Sequence, residues 1–229
     1  MALPRSSSTS AMPSAAETTL LLATRSSDKA REIRAILDGM SVLTVTLDDV
    51  GFPPGPEEDG VEAFDSYLLN AHAKAAWFLQ RTGFATIADD SGLNVDALGG
   101  EPGVRSRRFA ACADADSRAR DAANNELLLD RLATVPGPLR SAHYTCAAVL
   151  HTLDGRRCAA LGTCAGRILE SPRGRYGFGY DPLFCDLLTG ASFAELDPAE
   201  KDRRSHRARA FRALAAAARS TLDHPDSSR

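Results

Sequence analysis

The chain carries no excess of basic charge, no C-x-x-C pair among its 5 cysteines, a single tryptophan and only 6% aromatic residues. Each shortage excludes something. With 27 Lys plus Arg against 30 Asp plus Glu, a formal net charge of -3, there is no basic field to grip a nucleic-acid backbone by counterion release. No nucleic-acid partner is therefore expected, and a small anion is the better ligand. The odd count and spacing of Cys112, Cys146, Cys158, Cys164 and Cys185 argue against a secreted disulfide framework. They suit small buried side chains in a reducing compartment, the cytoplasm by default. No apolar run approaches the roughly 20 residues that span a bilayer, so no membrane association is expected. The Ser-, Ala- and Thr-rich opening segment has Arg5 as its only base and no continuous apolar stretch, unlike a signal peptide. A start at Met12 would disturb the first expected strand no more than a start at Met1.

What is present is an ordinary globular composition: 229 residues, 44% apolar and 25% charged. At about 150 residues per domain this allows one large domain or two closely joined lobes, folded without a disulfide or metal staple. Residues 1–18 and 223–229 carry too little apolar surface to offset the entropy of ordering and are expected to be disordered, leaving 19–222 as one two-lobed domain. Thr19 to Thr24 reads as a strand, Arg25 to Asp28 as a polar loop, and Lys29 to Leu37 as a helix with Ala30, Ile33, Ile36 and Leu37 on one face. Val42 to Leu47 alternates like a second strand, and Pro53, Pro54, Gly55 and Pro56 lead to the acidic Glu57, Glu58 and Asp59. The helical period from Val61 to Arg81 predicts one long amphipathic helix, with Asn70 and Lys74 four apart on one face. Phe84 to Ala88 is an expected strand ending at Asp89 and Asp90, and Leu93 to Leu98 another before a Gly-Pro turn. Asp116 to Leu132 reads as a helix, Ala142 to Leu153 and Cys158 to Leu169 as strands joined by the Asp154-Gly155 hairpin, and Ala208 to Leu222 as a closing helix. The pattern is α/β, a mixed central sheet flanked by helices, with two lobes and a cleft between them.

Four constellations could carry chemistry. Thr24, Ser26, Ser27 and Lys29 offer hydroxyls and a cation at a helix start, where backbone N–H groups favour an anion; a capped surface helix with a solvated lysine is the plain alternative. Asp89 and Asp90, followed by Ser91, are hard oxygen donors suited to magnesium, with Glu58 as a further ligand, or else they cap backbone groups in an Asx-type turn. The run Arg175 to Pro182 interleaves Tyr176, Phe178 and Tyr180 with glycines beside Asp181, fit to stack a flat ring and accept a hydrogen bond from its edge, or simply a turn with its aromatics in the core. Lys201, Ser205, His206 and Arg207 suit a phosphate or a carbonyl acceptor, or form a solvated basic helix end.

Together these blocks resemble the inosine triphosphate pyrophosphatase family. The resemblance runs from about Leu20 to Leu214 and rests on IADDSGLNVDALGGEPGVRSRRF (Ile87 to Phe109), GFGYDP (Gly177 to Pro182) and FAELDPAEKDRRSHRARA (Phe193 to Ala210). It implies a magnesium-dependent enzyme that cuts ITP, dITP and XTP between the α and β phosphates, as a likeness to homodimeric proteins. It also implies roles: Thr24, Arg25, Ser26, Ser27, Asp28 and Lys29 around the triphosphate, Glu58 and Asp90 on magnesium, and Asp90 as the base for water. Ser91 would lie beside the substrate, and Phe178, Gly179, Tyr180, Asp181, Lys201, His206 and Arg207 around base and phosphates. The chain departs from the family's usual pattern at Arg25-Ser26 in place of Gly-Asn, at Leu69 in place of a glutamate, in the longer spacing from Phe64 to Asn70, and at Arg105 and Arg107. Two alternatives follow: a pyrophosphatase for modified pyrimidine triphosphates, and a catalytically silent nucleotide-binding module.

Overall fold

The computed structural model describes residues 18–38, 42–112 and 116–223. The sequence readings of the terminal extensions and of the start site fall outside these residues, except that Thr18 opens the first strand and Asp223 closes the last helix. In chain order the elements are β1 (Thr18–Leu22), α1 (Ser27–Leu37), β2 (Val42–Thr46), α2 (Tyr67–Thr82), β3 (Ala85–Val95), α3 (Ser117–Arg131), β4 (Ser141–His151), β5 (Arg157–Ile168), β6 (Phe184–Asp186), α4 (Pro198–Arg204) and α5 (His206–Asp223). The sheet is six-stranded in the order β2-β1-β3-β4-β5-β6. β1 pairs in parallel with β2 and β3, and the rest of the sheet is antiparallel. Such a mixed sheet needs helical crossovers only at its parallel end, and α1 and α2 supply them. No described helix is long and apolar enough to cross a membrane.

Strand alternation sorts side chains onto two faces. Leu20, Leu22 and Ile87 join α1 and α5 in one core, while Leu21, Ala23 and Ala88 join Ala71, Ala75 and Phe78 of α2 in another. The far halves of β3, β4 and β5 build a separate lobe around Leu93, Tyr144, Phe184 and Phe193, with Leu128 of α3 and Leu132 just after it. The cleft opens where β1 stops. Its last bond to β3 is from the Ala23 N–H to the Ile87 carbonyl, 2.8 Å, and β3 runs on alone on that side while keeping its register with β4 from Thr86↔His151 to Val95↔Ala142.

Two expectations are corrected here. Residues 84–88 and 93–98 are not two strands; one unbroken β3 carries Asp89 and Asp90 in its middle. The acidic pair is tolerated there because each carboxylate meets its own partners, as described below, and because Gly92 lets the chain from Gly103 to Ser106 lie against the strand. A Cβ at Gly92 would stand 2.3 Å from the Gly103 carbonyl oxygen and 2.5 Å from the Ser106 hydroxyl. The long helix begins at Tyr67 rather than Val61, because Ser66 caps it by accepting from the Leu69 N–H, and the Asn70 amide binds both backbone groups of Phe64, N–H and carbonyl, at 2.9 Å. Asn70 thus holds residues 61–66 in a turn instead of a helix.

One pair of histidines, on α2 and β4, resists protonation in the folded protein. His72 Nδ1 and His151 Nε2 are 2.8 Å apart, so one ring donates and the other accepts. Burial, the facing His72 and Arg157 push His151 down to about 4, and burial also lowers His72. Between an unfolded value near 6.5 and about 4, the unfolded chain binds the proton that the native pair refuses, so stability falls as pH drops through this window. The urea midpoint of the wild type is expected to fall more between pH 7.5 and pH 5 than that of His151→Gln; equal falls would remove the pair from the account.

Candidate active site

The first half of the cleft is the turn between β1 and α1. Ser26 caps α1, its hydroxyl accepting from the Lys29 N–H, and the Thr24 hydroxyl accepts from the Ser26 N–H at 3.2 Å. Ser27 is exposed and Asp28 pairs with Arg31 at 2.7 Å. Lys29 reaches back over the turn to Asp89, 3.1 Å from Nζ to Oδ2.

Strand alternation then separates the two aspartates. Asp89, on the face shared by Ile87, meets Lys29 of α1 and Arg207 of α5, the latter at 3.5 Å. Burial works against its charge, but Lys29, Arg207 and Lys74 outweigh it and hold the carboxyl far below the usual range. Asp90 points to the α2 side and accepts from Asn70 Nδ2 at 2.9 Å and from the Ser91 N–H at 2.9 Å. Burial raises its pKa despite Lys29 and Lys74 nearby, which suits a group that takes up a proton. Lys74, one turn beyond Asn70, is ion-paired with Glu62 of the preceding turn. Burial disfavours its charge, and Glu62, Asp89 and Asp90 together reverse that.

The other half is built by the aromatic loop and the start of α5. The Asp181 carboxylate accepts from the Phe178 N–H at 2.9 Å and from Lys201. Gly177, at φ 75°, leaves room for it; a Cβ there would stand 2.1 Å from Asp181 Oδ2. The Lys201 ammonium lies 4.7 Å from the Phe178 ring centroid, a cation–π contact. Tyr180 is buried in the far lobe with its hydroxyl donating to the Ser106 carbonyl at 2.8 Å, and Gly179 contributes only backbone. His206 stacks on Tyr144, centroids 4.5 Å apart and planes within 12°. Burial, then Arg207 and Lys201, keep it neutral, and its Nδ1 has no hydrogen-bond partner among the described residues. Arg207 donates to the Ser91 hydroxyl at 3.0 Å.

Every residue to which the resemblance gives a role lines this one cleft, whose volume is about 900 Å³, whereas Asp89, Tyr176 and Ser205 do not line it. Reasoning from sequence missed Glu32. Its carboxylate, 4% exposed, joins Arg207 and Lys201, the latter at 2.8 Å, so that Asp89, Arg207, Glu32, Lys201 and Asp181 form one buried chain of alternating charge. The signal was a glutamate inside an apolar helix face, between Ala30 and Ile33. Glu58 stands differently from the sequence picture. Both its oxygens are held by Arg25, at 2.6 and 3.2 Å, and the same guanidinium donates to the Phe52 and Pro53 carbonyls at 2.8 and 2.9 Å. Arg25 therefore ties the anion-type turn to the acidic loop. Leu69 faces outward, 51% exposed.

Among the described residues no three His, Cys, Asp or Glu side chains converge into a closed metal cage. The donors nonetheless fit a magnesium ion, which keeps waters and needs only one or two carboxylates besides a ligand's phosphates. Asp90 accepts a single bond on each oxygen and retains acceptor capacity toward the cleft.

A helix N-terminus with a lysine, an acidic strand beside it and an aromatic turn opposite define a cleft for a phosphorylated, ring-bearing ligand, the class of α/β nucleotide-handling proteins. Comparison with known proteins agrees. The chain belongs to the Ham1 family, whose model matches residues 20–217. It is 45% identical over 197 residues to a dITP/XTP pyrophosphatase of Geobacter sulfurreducens, covering 86% of this chain and 94% of that protein. A second dITP/XTP pyrophosphatase, from Frankia alni, is 43% identical and covers 89% of this chain and 98% of its own. Among solved structures, a HAM1 protein from Coxiella burnetii superposes with a TM-score of 0.75 at 31% identity, over 89% of this chain and 99% of that one.

Breaking the charge chain at its middle leaves two buried cations without their shared partner. Glu32→Ala is expected to destabilise the protein by about 3–5 kcal/mol, the cost typical of a buried charge left unpaired, as read from urea unfolding. A loss below about 1 kcal/mol would mean that Lys201 and Arg207 are satisfied by other groups.

Proposed function

We propose that the protein is a magnesium-dependent pyrophosphohydrolase of non-standard purine nucleoside triphosphates, converting ITP, dITP and XTP to the monophosphate and pyrophosphate. The observation that carries this reading is Asp90: a buried carboxylate with acceptor capacity to spare, set between the anion-type turn of α1 and the aromatic loop. The relatives' names as dITP/XTP pyrophosphatases support it.

In this reading the α1 turn and Lys29 receive the phosphates, where helix-end N–H groups and the ammonium offset their charge. Asp90 accepts the proton of the water that attacks the α phosphorus. The new phosphorus–oxygen bond forms as the bond to the bridging oxygen breaks, and pyrophosphate departs with that oxygen's electron pair. Asp90 and Glu58 would hold the magnesium, which when bound offsets charge on the phosphate oxygens and the leaving pyrophosphate. Glu58 accepts one bond from Arg25 on each oxygen and would keep acceptor capacity for the ion. Asn70 holds Asp90 in place through Oδ2.

At the base end, neutral His206 has an Nδ1 without a hydrogen-bond partner among the described residues. A 6-oxo purine brings an acceptor that this nitrogen can donate to. Adenine brings an amino donor, and a buried donor facing a donor is costly, so ATP is rejected. The aromatic face of Phe178 is the surface on which the purine stacks. The reading includes a cytoplasmic homodimer; it is supported by the absence of disulfides among the cysteines and by the outward face of β5, where Leu161 is 60% exposed. The Arg25 hold on Glu58 favours one other reading, a nucleotide-binding module without turnover.

Pyrophosphate release with magnesium is expected from ITP, dITP and XTP, and far less from ATP and dTTP. Asp90→Asn is expected to lower kcat by about 10²–10⁴-fold, the usual worth of a general base, while still binding ITP. Full turnover by that variant would exclude the assigned role, preference for dTTP would favour the pyrimidine class, and ITP binding without release by the wild type would favour the silent module.

A further inference from the structure

Helix α3 carries none of the residues assigned to the ligand, yet one edge of it grips both walls of the cleft's base end. Asp121, Asn124 and Asn125 are spaced i, i+3 and i+4, which places them on one helix face. Asp121 Oδ2 accepts from the Gly179 N–H at 2.7 Å, and Asn125 Nδ2 donates to the Gly179 carbonyl at 2.8 Å and to the Asp121 carbonyl at 2.8 Å. Beside them the Asn124 amide accepts from the Ala110 N–H at 2.8 Å and donates to the Ser106 and Arg107 carbonyls at 3.3 and 3.2 Å. The Ser106 carbonyl in turn receives the Tyr180 hydroxyl. Both backbone polar groups of a single glycine residue are thus taken by two side chains of a helix that lies outside the recognised blocks.

Gly179 is where such a hold matters. It sits at φ 63°, two residues after Gly177 at φ 75°, so the loop that presents Phe178 has two glycines with wide backbone freedom. Within the loop the Phe178 N–H and carbonyl are already bonded to Asp181, which leaves Gly179 as the point at which the ring's height over Lys201 could drift. Fixing it in advance removes an ordering cost that ligand binding would otherwise bear.

We propose that Asp121 and Asn125 are positioning residues for base recognition: by clamping the Gly179 backbone they hold the Phe178 ring at the height at which a purine stacks, and they act on the base without acting on the phosphates. This rests on the reading of the cleft as a purine triphosphate site. The clamp predicts a split between the two halves of the ligand, because the turn and the lysine assigned to the phosphates stand on α1, whereas Gly179 and Phe178 belong to the aromatic loop.

The test compares wild type, Asp121→Ala, Asp121→Asn and Asn125→Ala for ITP hydrolysis and for inhibition by inorganic tripolyphosphate, which has phosphates and no base. Asp121→Ala is expected to raise KM for ITP about tenfold, the scale of one charge-assisted hydrogen bond, with kcat within about twofold and the tripolyphosphate inhibition constant unchanged. Asp121→Asn keeps an oxygen acceptor for the Gly179 N–H and is expected to restore most of the loss, while Asn125→Ala raises KM less. An active wild type whose KM is unmoved by Asp121→Ala overturns the proposal. So does a parallel rise in the tripolyphosphate constant, which would mark general collapse, or a failure of Asp121→Asn to rescue. A wild type that releases no pyrophosphate from any purine triphosphate overturns the functional reading itself, and this proposal with it.

Discussion

The buried chain of charge from Lys29 through Asp89, Arg207, Glu32 and Lys201 to Asp181 is the constraint on which the rest of the structure depends. An ammonium or guanidinium taken out of water is tolerated only beside a carboxylate. Lys201 and Arg207 are each about as buried as a core leucine, so α4 and α5 must dock where Glu32 of α1 can meet both. The same requirement brings the aromatic loop in, because Asp181 needs Lys201 as much as Lys201 needs it. Three carboxylates and three cations from five parts of the chain close on one another, and their common meeting place is the floor of the cleft.

Strand alternation divides the labour between neighbouring acids. Asp89 and Asp90 are adjacent in the chain and opposite in the sheet, so one becomes a structural counterion for Lys29 and Arg207 while the other, anchored by Asn70, keeps acceptor capacity toward the cleft. Neither carboxylate has to tolerate the other at close range. The site exists because β1 ends at Leu22, opposite Ile87, and β3 continues, leaving the middle of a long strand uncovered on one side, the place where open α/β sheets receive ligands.

Local pattern carried well where local physics decides. Alternation and the Asp154-Gly155 turn located β4 and β5, and the apolar period with a serine cap located α1. It failed where a distant partner overrode it. The helical period before Tyr67 lost to the Asn70 amide, which captures the Phe64 backbone, and the turn-like Asp-Asp-Ser-Gly run is strand because β4 pairs with it throughout. Glu58 was legible as an acid in the right loop, but its partnership with Arg25, 33 residues away in sequence, was not, since ion pairs of that separation leave no periodic trace.

The sequence by itself determined the alternation of strands and helices, the residue types of the site and their order in three blocks, because these follow from side-chain chemistry and short-range spacing. Only the tertiary structure decided which aspartate faces the cleft, that Glu32 binds the two cations together, and that α3 holds Gly179. Those outcomes depend on which face of a strand or helix meets which neighbour, and packing sets that between segments far apart along the chain.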